Sequence, residues 1–252
     1  MEEIFVFSNQ WEFFPCQIDN MRHSIRFDMA VLGLDAAAKA AYPHTLVLTV
    51  FADETADDGM PTPEAFTTLN SIEDGFSAAG YKMRYVGAIT GNGRMRFVFC
   101  CASDAGEAMA AALLAGNGAE YEYEMKANDN FGYFSRILTP DKYEMNWIMN
   151  RRVCAAMEET GEAFAEARDI DFYIHFTKEQ DAENIAGKMT ARGFVRHNLE
   201  KMEDGGFSLH LTLNDIPEFN RMNQICGDIL EDMDGIDGYF DGWGAPTCQS
   251  AN

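Results

Sequence analysis

The stretch Asp169-Ile170-Asp171-Phe172-Tyr173-Ile174-His175-Phe176 alternates apolar and polar side chains at the period of a half-buried strand. An apolar stripe at i, i+3, i+4 and i+7 spacing follows over residues 182–189 and predicts a helix. Two more strand patterns, a second helix pattern and a short last strand complete the order β-α-β-β-α-β. Because this order forms a four-stranded antiparallel sheet with both helices on one face, residues 169–252 are predicted to be a ferredoxin-like domain.

The same order of patterns occurs nearer the N-terminus. It begins with an apolar strand pattern at residues 45–51 and ends with a strand pattern at 120–126. Two further strand patterns, at residues 11–18 and 25–31, precede it and predict an additional β-hairpin. The predicted fold class is therefore α+β, with two ferredoxin-like units, and residues 1–126 form the N-terminal domain of uncharacterised function.

The segment between the predicted domains, residues 127–168, contains a long helix pattern that starts at Thr139-Pro140. Its apolar residues fall on two adjacent stripes, so the helix must pack against other elements. We interpret the segment as a linker whose helix braces the two domains.

The charge excludes several classes of partner. The 252 residues include 41 acidic and 19 basic side chains, a formal net charge of −22. Such a surface repels phosphate, so we expect no direct contact with nucleic acid or with a membrane. The sequence starts with polar residues, unlike a secretory signal, and it lacks the run of ~20 apolar residues that a membrane helix needs. Its six cysteines are too few for a disulfide scaffold. We therefore expect a cytoplasmic protein with reduced thiols.

No pattern in the sequence predicts catalysis. The five histidines lack metal-ligand spacing, no base is placed beside a cysteine, and no carboxylate pair stands out, so we expect no metal and no cofactor. This favours a binding protein over an enzyme. His197 and His210 lie on neighbouring strand patterns but alternate to opposite faces of the predicted sheet.

The alternative function is a small-molecule sensor or an enzyme that uses a groove between the two ferredoxin-like units. The residues predicted to contact such a ligand are the polar side chains of one sheet face, Tyr173, His175 and His210.

Acidic side chains are concentrated near the C-terminus. Residues 203–252 hold ten carboxylates and one basic residue, Arg221. This surface suits a basic protein segment, such as an arginine-rich stretch, whose attraction weakens as salt rises. Open strand edges also allow homo-oligomers to form. The predicted partner-binding residues are Asp232, Asp234, Asp237, Tyr239, Asp241 and Trp243.

Residues 168–244 resemble a known family. The resemblance is to the regulator of ribonuclease E activity B. It rests on the strand 169–176, Thr177-Lys178-Glu179, Gly193-Phe194 and the ending Gly238-Tyr239-Phe240-Asp241-Gly242-Trp243. Phe240 departs from the family's usual Tyr-Asp-Gly-Trp ending. The resemblance implies a small acidic bacterial protein that binds endoribonuclease E and inhibits RNA processing without chemistry of its own.

The front of the chain resembles domain-of-unknown-function family 695. The pattern is carried by residues 11–15, the strand at 25–29, Gly59-Met60-Pro61 and the hairpin Val86-Gly87 to Phe97. This resemblance implies an architecture and no activity. Our leading hypothesis is a non-enzymatic regulatory protein that inhibits an endoribonuclease or an RNA-processing complex through an acidic surface.

Overall fold

The computed structural model describes residues 5–6, 8, 10–76, 80–115, 118–203 and 205–248 of the chain. The chain divides into two units, the first ending at Pro140 and the second starting at Asp141. Each unit contains one sheet with helices packed on it.

The elements of the first unit are β1 (Phe5–Val6), β2 (Trp11–Ile18), β3 (Met21–Asp28), α1 (Ala36–Ala40), β4 (His44–Phe51), α2 (Pro63–Asp74), β5 (Met83–Gly91), β6 (Arg94–Cys101), α3 (Gly106–Leu113) and β7 (Tyr121–Lys126). Its sheet has the strand order β2-β3-β5-β6-β4-β7, and β1 pairs in parallel with β5. The other neighbouring strands pair antiparallel.

The part β5-β6-β4-β7 is the ferredoxin-like arrangement, and the hairpin β2–β3 extends it beyond β5. Asp19 and Asn20 connect β2 to β3 with φ angles of 52° and 62°, as a tight hairpin turn requires. Strand β3 ends earlier than the pattern 25–31 predicts. The Asp28 carboxylate accepts a hydrogen bond from the Ala30 N–H at 2.9 Å and starts a 3₁₀ turn over Met29–Val31.

Helices α2 and α3 cover one face of this sheet, where Leu48, Leu69, Phe97 and Met109 are among the core residues. We call the opposite side of each sheet its outer face. In the first unit the segment 131–138, which ends in a π-helical turn over Phe134–Leu138, packs on the outer face.

This packing explains why residue 87 is a glycine. A Cβ atom at Gly87 would lie 2.6 Å from the Arg26 carbonyl oxygen and 3.1 Å from a methyl carbon of Leu138. Only a residue without a side chain lets the segment 131–138 and strand β3 approach β5 this closely.

The elements of the second unit's sheet and its covering helices are β8 (Arg168–Phe176), α5 (Glu179–Ala191), β9 (Val195–Lys201), β10 (Phe207–Asp215), α6 (Phe219–Asp232) and β11 (Gly238–Gly244). The strand order is β11-β8-β10-β9, with all neighbours antiparallel, which is again the ferredoxin-like arrangement. Ile170, Phe172, Ile174 and Phe176 point toward the helices, as the alternation predicts. The predicted fold class is therefore confirmed.

The long helix α4 (Lys142–Glu159) belongs to the second unit and packs on α6. Asp141 starts it with a capping box, and its residues Cys154 and Met157 join the core of that unit. The predicted linker 127–168 is therefore divided between the two units at Pro140, because its helix buries apolar residues against α6. Neither α4 nor any other described helix is long and apolar enough to cross a membrane.

Candidate functional site

The predicted partner-binding residues lie at the end of α6 and along β11, but they do not form one free surface. Asp232, the last residue of α6, forms ion pairs with Lys188 at 3.2 Å and Arg192 at 2.8 Å. Its side chain is only 14% exposed. Because two cations of the same unit neutralise its charge, Asp232 mainly connects α6 to α5.

Trp243 is buried, with 9% of its surface exposed. Its Nε1–H donates to the Asn150 Oδ1 atom at 2.8 Å, and the Asn150 amide donates to Asn223 Oδ1 at 2.8 Å. These bonds join β11, α4 and α6. Trp243 therefore holds the second unit together, and a partner cannot reach most of its ring.

Asp237 lies in the connection before β11. Its carboxylate accepts a hydrogen bond from the Thr177 hydroxyl at 3.0 Å, and its carbonyl oxygen accepts one from the Thr177 N–H at 3.1 Å. Asp234 is different, because its side chain is 64% exposed even though it forms an ion pair with Lys142.

Tyr239 and Asp241 point outward from β11. Tyr239 is 58% exposed, and the Asp241 side chain is 60% exposed. The Tyr239 ring lies 4.7 Å from the His175 ring, and Asp241 Oδ2 lies 3.7 Å from His175 Nε2. Of the six predicted residues, Asp234, Asp237, Tyr239 and Asp241 are exposed. Three of them, Asp234, Tyr239 and Asp241, lie together around one feature of the surface.

These three residues border an apolar groove that the sequence analysis did not predict. It has a volume of about 530 Å³ and lies between α4, the end of α6 and β11. Its apolar lining includes Met145, Met149, Val153, Met233, Ile236 and Phe240. Because methionine is flexible and polarisable, a lining with three methionines adapts to different partner side chains.

The outer face of the second sheet brings together the three predicted sheet-face residues. The rings of Tyr173 and His210 stack at 4.8 Å with an interplanar angle of 11°. His175 lies two residues further along β8 and contacts Tyr239. His210 Nε2 also lies 2.6 Å from the Asp171 carboxylate. An aromatic row bordered by carboxylates therefore runs across β10, β8 and β11.

His197 joins this row, so its predicted placement opposite His210 is wrong. The pairing of β9 with β10 shifts register between His210 and Leu211, and the extra residue interrupts the alternation of β9. As a result the His197 ring stacks on the His210 ring at 5.0 Å.

Within the described part of the chain, no three His, Cys, Asp or Glu side chains could hold a metal ion. Burial raises the pKa of the Cys101 and Cys226 thiols to about 12, and it also raises the pKa of Cys100. These thiols are protonated at neutral pH and are poor nucleophiles.

The fold and the surface define a chain of two ferredoxin-like units whose second unit carries an exposed groove with aromatic and acidic borders. Comparison with family models assigns both parts. The chain belongs to the Family of unknown function (DUF695), whose model matches residues 9–138. Residues 147–245 match the model of Regulator of ribonuclease activity B. Both predicted resemblances are confirmed, and the second match includes most of α4.

Other comparisons add little. No curated protein matches the chain. Among solved structures, one similar chain is a protein provisionally assigned as a glycine cleavage system transcriptional repressor. It is 11% identical, the match covers 81% of this chain and 98% of that chain, and the TM-score is 0.24. A similarity this low carries no argument about function.

Proposed function

We propose that this protein is a non-enzymatic regulator that binds a ribonuclease and inhibits RNA processing. The match of residues 147–245 to Regulator of ribonuclease activity B supports a regulatory role.

The observation that carries the proposal is the position of Asp234, Tyr239 and Asp241 beside the apolar groove. Arginine is the partner residue that suits this border, because its guanidinium pairs with carboxylates and also stacks on aromatic rings. Apolar side chains of the same segment would enter the groove. The partner is therefore a basic protein segment with interspersed apolar residues.

The charge of the second unit explains how such binding would inhibit a ribonuclease. Residues 169–252 carry 16 acidic and 6 basic side chains. A basic segment that binds RNA is attracted to this surface as it is attracted to phosphates. Occupation of the segment by the protein would exclude RNA from it.

The test uses a variant that changes only the exposed border. Asp234→Lys, Tyr239→Ala and Asp241→Lys are combined, and Asp232 is left intact because its ion pairs connect α6 to α5. The matched control combines Glu159→Lys and Glu179→Lys, two exposed residues at the end of α4 and the start of α5. Both variants change the net charge by the same amount.

Each protein is titrated into an RNA-cleavage assay with the endoribonuclease E of the native host, at low and at high salt. We expect the wild type and the control to slow cleavage at low salt. The border variant should require a protein concentration about tenfold or more higher for the same inhibition. High salt should weaken the inhibition by the wild type, the control and the border variant. Cleavage unaffected by the wild-type protein at low salt would refute the proposal, and equal inhibition by the border variant would refute the assigned surface.

A further inference from the structure

Two arginines of β6, Arg94 and Arg96, lie on the outer face of the first sheet. They alternate with three residues of the same strand that face the helices, Met95, Phe97 and Phe99. Successive residues on one face of a strand are about 7 Å apart at their Cα atoms. Both guanidinium groups can therefore reach one small ligand on this face.

Neither of these arginines has a counter-ion among the residues that the structure describes. Their Nε–H groups are buried without a hydrogen-bond partner, and neither side chain forms an ion pair or another hydrogen bond there. Eight other arginines form ion pairs with carboxylates, as Arg84 does with Asp28. In a chain with 41 acidic and 19 basic side chains, two adjacent arginines without a carboxylate are an exception.

The two side chains are held against the sheet. Both arginines are only partly exposed. Of their nitrogens only Nε is buried without a partner, so the terminal nitrogens are the ones that meet solvent. The neighbours of the two arginines in the sheet register are Thr49 and Phe51 on β4 and Ile89 and Gly91 on β5. A side chain that packing already orders loses less conformational entropy when it binds, so these guanidinium ends are preorganised for a ligand.

Two guanidinium groups side by side suit a phosphate better than a carboxylate. A carboxylate has one negative charge and two oxygens, which a single arginine satisfies. A phosphate monoester has a charge of about −1.5 to −2 and three terminal oxygens, so it can bond to both arginines. Thr49 pairs directly with Arg96 and lies on the same face, so its hydroxyl adds a further donor.

The charges around the two arginines restrict the size of the anion. The loop 53–60 carries four carboxylates. It lies beside the turn between β5 and β6, because the Gly93 N–H donates to the Gly59 carbonyl oxygen at 2.9 Å. On the other side, Glu122 of β7 lies two strands from Arg96 on the same face. A polyanion such as RNA would meet these carboxylates and be repelled, whereas a single phosphate group would not extend to them.

We propose that Arg94 and Arg96 form a binding site for the phosphate group of a small phosphomonoester. The two guanidinium groups donate hydrogen bonds to the phosphate oxygens, and the Thr49 hydroxyl donates another. This site lies in the first unit and does not depend on ribonuclease binding by the second.

The test titrates the full chain with phenyl phosphate, inorganic phosphate, acetate and a short single-stranded RNA. Calorimetry measures the affinity, and the NMR signals of the arginine Nε–H groups report where each probe binds. Arg94→Gln and Arg96→Gln each remove one guanidinium. The matched control is Arg22→Gln, because Arg22 lies in the same sheet, already forms an ion pair with Asp58, and its replacement changes the net charge by the same amount.

We expect both phosphate probes to bind the wild type and to shift the Nε–H signals of Arg94 and Arg96. Acetate should bind at least about tenfold more weakly, and Arg94→Gln or Arg96→Gln should weaken phosphate binding by about tenfold or more. Arg22→Gln should change it by no more than about twofold, since an exposed charge acts weakly at a distance. The RNA should bind no more tightly than phenyl phosphate.

The melting temperature of the free Arg94→Gln and Arg96→Gln proteins should stay equal or rise, because each substitution removes a partly buried charge without a counter-ion. The proposal is overturned if neither phosphate probe binds, if acetate binds as tightly as phosphate, or if the RNA binds more tightly than phenyl phosphate. It is also overturned if phosphate leaves the wild-type Nε–H signals of Arg94 and Arg96 unchanged, or if both Gln variants bind phosphate as tightly as the wild type.

Discussion

The two units share one strand order but differ in the outer faces of their sheets. In the first unit the segment 131–138 follows the last strand and packs on the outer face, so Val98 and Cys100 are fully buried there. In the second unit the additional element is α4, which precedes the first strand and packs on α6 instead. The outer face of the second sheet therefore exposes Tyr173 and part of His210.

This difference teaches that the position of the additional segment determines which face can bind a partner. The covered outer face of the first unit contains apolar residues and a buried ion pair. The open outer face of the second unit contains histidines, tyrosines and carboxylates. Two units of the same topology can thus serve different purposes within one chain.

The largest expected effect is at the covered face of the first unit. Arg84 Nη2 lies 2.6 Å from the carboxylate of Asp28, a residue that is fully buried. Arg84→Ala leaves this carboxylate without its cation, so we expect a loss of about 3–5 kcal/mol in the free energy of unfolding. Urea denaturation followed by circular dichroism measures it.

The control for Arg84→Ala is Tyr173→Ala on the open face of the second unit. Tyr173 is 40% exposed and loses only its ring stacking on His210, so its removal should lower the free energy of unfolding by no more than about 1.5 kcal/mol. Equal losses for the two variants would contradict the contrast between a covered and an open face.

An intermediate effect is expected where α4 attaches to the second unit. Trp243→Phe removes the indole N–H and leaves the buried Asn150 oxygen without that donor. We expect a loss of about 1–3 kcal/mol in the free energy of unfolding, measured by thermal and urea denaturation. Tyr239→Phe, at an exposed position of the same strand, should be neutral, and a neutral Trp243→Phe would mean that this bond does not fasten α4.

The smallest expected effect is the contribution of one exposed ion pair in the second unit to the pH dependence of stability. The Arg196 guanidinium donates hydrogen bonds to Glu183 and lowers the pKa of that carboxyl. A lowered folded-state pKa gives stability that is present above the unfolded value of about 4.3 and is lost as pH falls through the folded value.

Glu183→Gln should therefore be slightly less stable than the wild type at pH 7, and the difference should disappear in acid. Thermal denaturation across this pH range measures the difference. Glu179→Gln, on the same helix, serves as the matched control. A difference that grows on acidification would have the wrong sign for a lowered pKa.

Much of the fold follows from local patterns in the sequence. The alternation of residues 169–176 and the tight turns at Asp19-Asn20 and Asn92-Gly93 depend on neighbouring residues alone. The attachment of α4 could not be derived in this way, because two apolar stripes show that a helix packs without showing on what. The position of His197 required the register shift in β9, which no alternation reveals.

The candidate site was predicted only in part, for a related reason. The concentration of carboxylates near the C-terminus indicated Asp234 and Asp241. It could not distinguish them from Asp232, because the ion pairs of Asp232 are with Lys188 and Arg192, which are distant in sequence. The groove was missed because its lining comes from α4, α6 and β11. The methionines at 145, 149 and 233 were the available signal, and their meaning depends on contacts far apart in sequence.

The hydrogen bond between Trp243 and Asn150 links the first helix of the second unit to its last strand. This bond therefore connects the beginning of the unit to its end. A fragment that contains the whole unit begins at Asp141. A fragment that begins at residue 169 would lack Asn150, one wall of the groove, and the core residues Cys154 and Met157. A fragment that begins at Asp141 retains all of these, so it is better suited to separate expression than the shorter fragment.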